Sequence, residues 1–95
     1  MSLYHVTDEV WVEKILREGL VGNPVVYLAR SYFDALSIRR SQERLQERLG
    51  ACAILEVQGE YELLIDPHVK TTPFGPVAFM IYQDVPPECL RRVYG

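Results

Sequence analysis

The sequence predicts a single α+β domain over residues 1–95, with two short helices early and antiparallel strands late. The first half holds two segments with the helical spacing of apolar residues, each preceded by a residue that can cap a helix. The second half holds short apolar runs separated by residues typical of turns, a pattern that favours strands. Strand, helix, strand, helix and then several strands is an order typical of α+β domains.

The chain opens with a predicted strand at residues 3–6, followed by a helix over residues 8–18. Thr7 lies at the predicted N-cap position, where a hydroxyl oxygen can satisfy a free backbone N–H. Gly19 is predicted to end the helix, because glycine readily takes the conformation that follows a last helical turn. Residues at helical spacing form one apolar stripe, made of Trp11, Val12, Ile15 and Leu16.

A buried strand at residues 25–29 and a second helix over residues 32–49 are predicted next. Ser31 is placed to cap this helix, and Asp34 stands at the position that completes a capping box. Gly50 is predicted to end the helix. Charged residues are dense along it, which indicates that one of its faces lies in water.

The second half of the chain is predicted to contain strands at residues 51–57, 61–65, 77–82 and 90–94. Residues 68–76 contain prolines and a glycine, residue types that favour a loop. We expect these strands to form an antiparallel sheet.

The composition argues against several classes of protein. A net charge of -3 is unlike a general nucleic-acid binder, although a local basic patch stays open. An apolar fraction of 48% argues against disorder. No apolar run approaches the roughly 20 residues of a membrane span, and the first residues lack the pattern of a secretion signal. Cys52 and Cys89 lack the paired spacing of a zinc site, so we expect free thiols in a cytoplasmic protein.

Two residues of the early strands are candidates for ligand binding. His5 lies near a predicted strand end beside a helix start, where its ring nitrogens can bond a hydroxyl-rich ligand such as a ribose. The alternative is a histidine satisfied by the backbone. Tyr27 lies in mid-strand and can form a platform for a cationic ring such as nicotinamide. The alternative is a tyrosine that packs in the core.

The second helix also carries a basic stripe. Its arginines recur at a spacing of four, at Arg40, Arg44 and Arg48. Phosphate recognition is one interpretation. A solvated, ion-paired helix face is the other, because Glu43 and Glu47 lie beside them. Cys89 lacks an identifiable base, which argues against a thiol nucleophile.

Four segments together resemble proteins with the ADP-ribosyltransferase fold. The segments are residues 3–7 (LYHVT), 15–20 (ILREGL), 26–29 (VYLA) and 79–90 (FMIYQDVPPECL). The first three resemble the opening strand with His-x-Thr, the helix ending in Gly-Leu and the next strand with its Tyr or His. The last resembles the closing segment of the RNA 2′-phosphotransferases of the same superfamily.

The resemblance implies a fold, a cofactor and roles for three residues. The fold is a split antiparallel sheet that binds NAD in the cleft between its halves. His5 would hydrogen-bond a ribose, Thr7 would support that strand end, and Tyr27 would stack near the nicotinamide. The implied reaction breaks the nicotinamide–ribose bond through an oxocarbenium-like state and transfers ADP-ribose to an acceptor.

One departure from the family pattern bears on the acceptor. Transferases that modify proteins carry a glutamate at the start of the strand predicted at residues 77–82, and no acid stands there. The RNA 2′-phosphotransferases lack that glutamate too, but they carry a histidine where Tyr27 stands. We therefore expect a phosphate or nucleic-acid acceptor held by Arg39 or Arg40. The alternatives are a catalytically degenerate module that binds a ligand or a protein, and an accidental match of motifs.

Overall fold

The structure is a computed structural model that describes residues 2–22, 24–45, 52–67, 71–72 and 75–94. Its elements follow in chain order. The first half holds β1 (Ser2–Asp8), a 3-10 turn (Glu9–Trp11), α1 (Val12–Glu18), β2 (Val26–Ala29) and α2 (Tyr32–Leu45). The second half holds β3 (Cys52–Gln58), β4 (Leu64–Ile65), β5 (Thr71–Thr72), β6 (Gly75–Pro76), β7 (Ala78–Ile81), a 3-10 turn (Pro87–Cys89) and β8 (Leu90–Tyr94).

The predicted α+β class is confirmed, with two helices and antiparallel strands among the described residues. Six strands form one sheet in the order β4-β7-β2-β1-β3-β8, and β5 and β6 pair separately as a two-stranded ribbon. Within the described part of the chain, every strand pair of the sheet is antiparallel.

The sheet divides into two halves at a seam between β1 and β2. These two strands pair at Tyr4 and Ala29, whereas β1 and β3 pair along the whole of β1 from Ser2 to Asp8. The halves are β4-β7-β2 on one side of the seam and β1-β3-β8 on the other. All six strands belong to one sheet, so the α+β class is confirmed and the split sheet that the resemblance implies stays a prediction.

The two helices cover opposite faces of the sheet. On the α1 face, Val12 packs against Ala53 and Leu55 of β3. On the α2 face, Ala35 packs against Ala29 and Ile54. Because β3 is covered on both faces, its residues from Cys52 to Val57 are all buried. That explains why these residues are apolar except for Glu56, whose carboxylate pairs with Arg91.

The start of the first helix differs from the prediction. Thr7 is not an N-cap, because β1 continues through it and pairs Thr7 with Ala53 and Asp8 with Cys52. The chain then makes a 3-10 turn before α1, and Trp11 lies 53% exposed instead of in the buried stripe. The predicted end is confirmed at Gly19, whose φ of 92° favours glycine and whose Cβ would overlap the Val85 carbonyl.

The start of the second helix is as predicted. The Ser31 hydroxyl accepts a hydrogen bond from the Asp34 N–H at 3.1 Å and donates one to the Asp34 carboxylate at 2.8 Å. This is the local exchange expected of a cap. Within the described residues α2 runs to Leu45, and the predicted extension to residue 49 with its stop at Gly50 lies outside them.

The later strands agree with the prediction in order and differ in length. The strand predicted at residues 61–65 is reduced to Leu64–Ile65, and that predicted at 77–82 is Ala78–Ile81. Part of the predicted loop forms the β5–β6 ribbon. The last strand spans Leu90–Tyr94 as predicted.

Candidate functional site

A cavity of about 430 Å³ opens beside the seam, between the sheet and α2. Both strands of the seam line it, through Tyr4, His5 and Val6 of β1 and Tyr27, Leu28 and Ala29 of β2. Four further residues complete the lining: Ile38, Gln42, Asp66 and Ala78. Its volume is within the range of about 300–1,000 Å³ that small-molecule sites occupy.

Small residues in the sheet form the floor of this cavity. Ala29 of β2 pairs with Ala78 of β7, and both are almost fully buried. Cross-strand partners lie on the same face of a sheet, so two adjacent methyl side chains face α2 at this point. Ile38 and Gln42, one helical turn apart, line the cavity from α2. The cavity exists because neither alanine fills the space below that helix.

His5 bridges the seam through its ring. Its Nδ1 lies 2.9 Å from the carbonyl oxygen of Tyr27. A carbonyl oxygen can only accept, so Nδ1 carries the hydrogen and Nε2 is the acceptor nitrogen of the neutral ring. Burial lowers the pKa of His5, and the bond to the Tyr27 carbonyl opposes this more weakly. The imidazole is therefore neutral at pH 7 and can accept a hydrogen bond from a hydroxyl group at Nε2.

Tyr27 lines the same cavity with a ring that is 46% exposed, so it is not a core tyrosine. Strand alternation assigns Tyr27 to the α2 face and His5 to the α1 face. The two residues still meet at one cavity, because β1 and β2 part next to the Tyr4–Ala29 pair and the His5 ring spans the gap. Both residues line one cavity from neighbouring strands, but strand alternation directs them to opposite faces of the sheet, which counts against the prediction that both face one cleft. Their role at a shared site stays a prediction.

Thr7 lies elsewhere. It is buried on the α1 side of β1 and lines a second, smaller cavity of about 310 Å³ with Trp11 and Lys14. It is not among the described residues that line the seam cavity. Its expected role as a support of the strand end stays a prediction.

The structure does not bring Arg39 to the seam cavity. The Arg39 Nε donates to the Cys52 carbonyl at 3.1 Å, and its guanidinium lies 3.2 Å from the Glu43 carboxylate. The same group lies 4.1 Å from the centre of the Tyr94 ring, a cation–π distance. Arg39 therefore joins α2 to β3 and β8.

Arg40 is exposed and lies outside the cavity lining. It is two residues from both Ile38 and Gln42, which places it about 200° around the helix from each of them. The expected role of Arg39 or Arg40 in holding a phosphate acceptor stays a prediction, and it has no support from the cavity geometry.

Asp66 is the residue that sequence reasoning missed. It is 5% exposed and lines the cavity, and it follows directly after the strand predicted at residues 61–65. Its N–H donates to the Ala78 carbonyl at 3.3 Å, which continues the pairing of β4 with β7 by one residue. The sequence shows that residues 64 and 66 share a face, because side chains alternate along a strand. Only the pairing of β4 with β7 shows that this face borders the cavity.

Cys52 and Cys89 are both free thiols. The Cys52 sulfur lies 3.7 Å from the Asp8 carboxylate, and burial, with the charge of Asp8 as the next cause, raises the pKa of the thiol. A raised pKa disfavours the nucleophilic thiolate. Cys52 is therefore unsuited to nucleophilic catalysis at neutral pH.

Comparison with protein-family models finds no match for this chain, and comparison with curated proteins finds none either. The described residues contain no group of three or more His, Cys, Asp or Glu side chains that could hold a metal ion. None of the described helices is long and apolar enough to cross a membrane.

Proposed function

We propose that this chain binds NAD in the seam cavity and transfers its ADP-ribosyl group to a phosphate-bearing acceptor, such as phosphorylated nucleic acid. One observation carries the proposal: His5 and Tyr27, the two residues for which the resemblance implies contact with NAD, line a single cavity beside the seam. A neutral imidazole that accepts at one nitrogen and an exposed aromatic ring suit a ribose and a flat nitrogen heterocycle.

The residues of the cavity have separate tasks in this proposal. His5 accepts a hydrogen bond from a ribose hydroxyl at Nε2, while its bond to Tyr27 fixes the orientation of the ring. Tyr27 stacks on the nicotinamide ring. When bound, NAD supplies a ribosyl carbon whose bond to nicotinamide breaks through an oxocarbenium-like transition state. A cavity that holds both partners in line lowers the entropic part of that barrier.

A binding module that does no chemistry is the second candidate. The observation in its favour is that Arg39, one of the two arginines expected to hold the acceptor, is committed to Cys52, Glu43 and Tyr94. The strand β7 also begins without an acid. In this second hypothesis the cavity binds its ligand in the same way and no group is transferred.

A calorimetric titration with NAD tests binding. We expect a dissociation constant between micromolar and millimolar, roughly -8 to -4 kcal/mol, because the cavity offers few polar groups. Loss of one hydrogen bond costs on the order of 1 kcal/mol, so His5→Ala should weaken binding several-fold. Ser37→Ala supplies the control, because Ser37 is exposed and is not among the described residues that line the cavity. Equal affinity in the wild type and in His5→Ala would remove His5 from the site.

Label transfer separates the two hypotheses. The protein is incubated with labelled NAD and, in parallel, with a 2′- or 5′-phosphorylated oligonucleotide and with a mixed protein extract. Transfer to the oligonucleotide supports the proposal. Transfer to protein side chains alone contradicts the acceptor class, and binding without any transfer favours the module that does no chemistry.

A further inference from the structure

The cavity of about 310 Å³ that Thr7 lines contains an aromatic ring and a cation that the proposed function does not use. It lies between Thr7 of β1, one face of α1 and residues 19–21, and we call it the α1 cavity. On the helix side its lining includes Trp11, at the N-cap of α1, with Lys14 and Glu18. Residues three or four apart are neighbours on one face of a helix, so the ring and the ammonium group stand side by side.

The indole of Trp11 is 53% exposed, whereas tryptophan is usually well covered in folded proteins. The cause is the path of the chain, because β1 continues to Asp8 and a 3-10 turn follows it. That turn brings Val12, in place of Trp11, against β3. Val21 also lines the α1 cavity with an exposed side chain. The cavity therefore presents an aromatic face on which a flat ring can stack.

Lys14 supplies the uncompensated charge of the α1 cavity. The carboxylate of Glu18, the other charged residue among the described lining, lies 3.2 Å from the guanidinium of Arg17. Lys14 is exposed and forms no ion pair with any residue that the structure describes. A lysine ammonium binds phosphate as a point charge. The α1 cavity therefore combines a flat aromatic surface with an available cation.

The α1 cavity lies on the face of the sheet to which the His5 side chain belongs. His5 pairs with Leu55 of β3, which packs against α1. Thr7 pairs with Ala53, which packs against the same helix. Residues two apart on a strand are separated by about 7 Å. A molecule in the α1 cavity would therefore lie one strand repeat from the residue that holds the ribose in the proposed function.

We propose that the α1 cavity binds a nucleotide of the phosphorylated nucleic-acid acceptor, with its base stacked on Trp11 and its phosphate beside Lys14. Stacking on an aromatic side chain accepts any base, because every base has a flat face. This site therefore recognises a phosphorylated nucleotide and no particular sequence. The inference rests on the proposed function for the identity of the acceptor, and it adds the place where that acceptor is held.

The fluorescence of Trp11 reports on this site directly, because it is the only tryptophan of the sequence. Adenosine 5′-monophosphate and adenosine are titrated against the full chain without NAD, with excitation at a wavelength that adenine does not absorb. We expect both to quench the fluorescence by stacking. The monophosphate should bind about fivefold more tightly, as one charge pair in contact with water would give. Absence of quenching, or equal affinities for the two probes, would overturn the proposal.

Two substitutions that remove one positive charge each locate the phosphate. Lys14→Gln should reduce the preference for the monophosphate to within about twofold, because it removes the cation and keeps an extended polar side chain. Arg44→Gln removes the same charge from the exposed side of α2, outside the described lining, and should leave the preference unchanged. Both residues are exposed, so we expect both variants to fold. An unchanged preference in Lys14→Gln would overturn the assignment.

Removal of the aromatic ring tests the stacking. Trp11→Ala should weaken binding of adenosine 5′-monophosphate at least about fivefold, measured by NMR, because stacking on an aromatic ring is lost. Tyr82→Ala is the matched control, since Tyr82 is an exposed aromatic residue that is not among the described residues lining the cavity. It should bind as the wild type does. Equal affinities of Trp11→Ala and the wild type would overturn the stacking.

Label transfer from NAD to a phosphorylated oligonucleotide keeps this inference separate from the proposed function. If the wild type, Trp11→Ala and Lys14→Gln transfer the label equally well, the inference fails and the proposed function stands. If the wild type transfers no label while adenosine 5′-monophosphate quenches Trp11 in a way that depends on Lys14, the proposed function fails and the nucleotide site stands.

Discussion

The imidazole of His5 is a hydrogen-bond donor at Nδ1 and has a lowered pKa because it is buried. These two facts make its protonation state a measurable test of the seam. A folded protein that resists protonating His5 must lose stability when the pH falls below the ordinary histidine pKa of 6.5. In that range the unfolded chain binds the proton and the folded chain does not.

We predict that protonation of His5 does not reduce the free energy of unfolding above about pH 6.5. Below that pH the free energy of unfolding should fall, with a slope of at most about 1.4 kcal/mol per pH unit. His5→Gln should flatten this dependence, because it removes the group that resists protonation. Urea unfolding between about pH 5 and 7.5 measures the slope, and identical profiles for the wild type and His5→Gln would contradict the assignment.

Arg39 is a structural residue by its contacts, whereas Arg40 has none of these contacts. Arg39→Ala leaves the Glu43 carboxylate buried without its counter-charge, so we predict a loss of about 3–5 kcal/mol of stability. Arg40→Ala on the exposed face should change stability by less than about 0.5 kcal/mol. Denaturant unfolding compares the two.

This difference decides how the acceptor experiment should be read. Loss of transfer in Arg39→Ala could follow from loss of the fold. Loss of transfer in the stable Arg40→Ala variant would instead support the phosphate role. Similar losses of stability in both variants would show that the contacts of Arg39 do not make it more important for stability than Arg40.

The capping residue predicted from the local sequence is confirmed for α2 and is wrong for α1. At α2 the Ser31 hydroxyl and the Asp34 backbone meet as predicted, because a cap involves residues three apart. At α1 the hydroxyl of Thr7 does not cap, because pairing with β3 keeps its backbone extended. A local capping sequence sets the start of a helix only where the same residue is not paired in a strand.

At α2 we predict that Ser31→Ala lowers stability by about 1 kcal/mol, within the usual range of about 0.5–2 for loss of an N-cap. Ser37→Ala is the matched control, since Ser37 is exposed within the same helix and alanine is the better helix former there. It should be neutral or slightly stabilising. Thermal unfolding measures both, and an equal effect of the two substitutions would argue against the cap.

At the scale of the whole molecule, the seam and the alanine floor together create the cavity. A ligand that binds only the folded chain stabilises it, by about 1.4 kcal/mol at ten times its dissociation constant. NAD should therefore raise the melting temperature of the wild type in a concentration-dependent way. Absence of any shift at millimolar NAD would count against binding in the proposed range.

A larger side chain on the alanine floor should abolish the rise in melting temperature that NAD causes. Ala78→Val places its added volume in the empty space of the cavity. Ala53→Val adds the same volume on the α1 face, where Ala53 is fully buried against Val12 and Leu55, so we expect it to cost about 1–3 kcal/mol by overpacking. We predict that Ala53→Val keeps the NAD-dependent rise in melting temperature and that Ala78→Val loses it. Retention of that rise in Ala78→Val would place the ligand elsewhere.

Much of the candidate site could be predicted from sequence because its residues stand in recognisable local contexts. His5 and Tyr27 lie in short apolar strands beside predicted helices, and the structure places both at one cavity. Asp66 could not be predicted, because its part in the lining depends on the pairing of β4 with β7. Arg39 and Arg40 share a helix, and only the packing of α2 shows that their surroundings differ.

The fold class, the capped start of α2 and the stop at Gly19 could be predicted from the sequence alone. Each of these depends on residues within a few positions of one another. The tertiary structure decided that β1 absorbs Thr7, that β1 and β2 part beyond the Tyr4–Ala29 pair, and that Asp66 joins Ala29 and Ala78 around one cavity. These outcomes depend on the register between strands that are distant along the chain. Register follows from the summed packing of a whole face and from no short stretch of sequence.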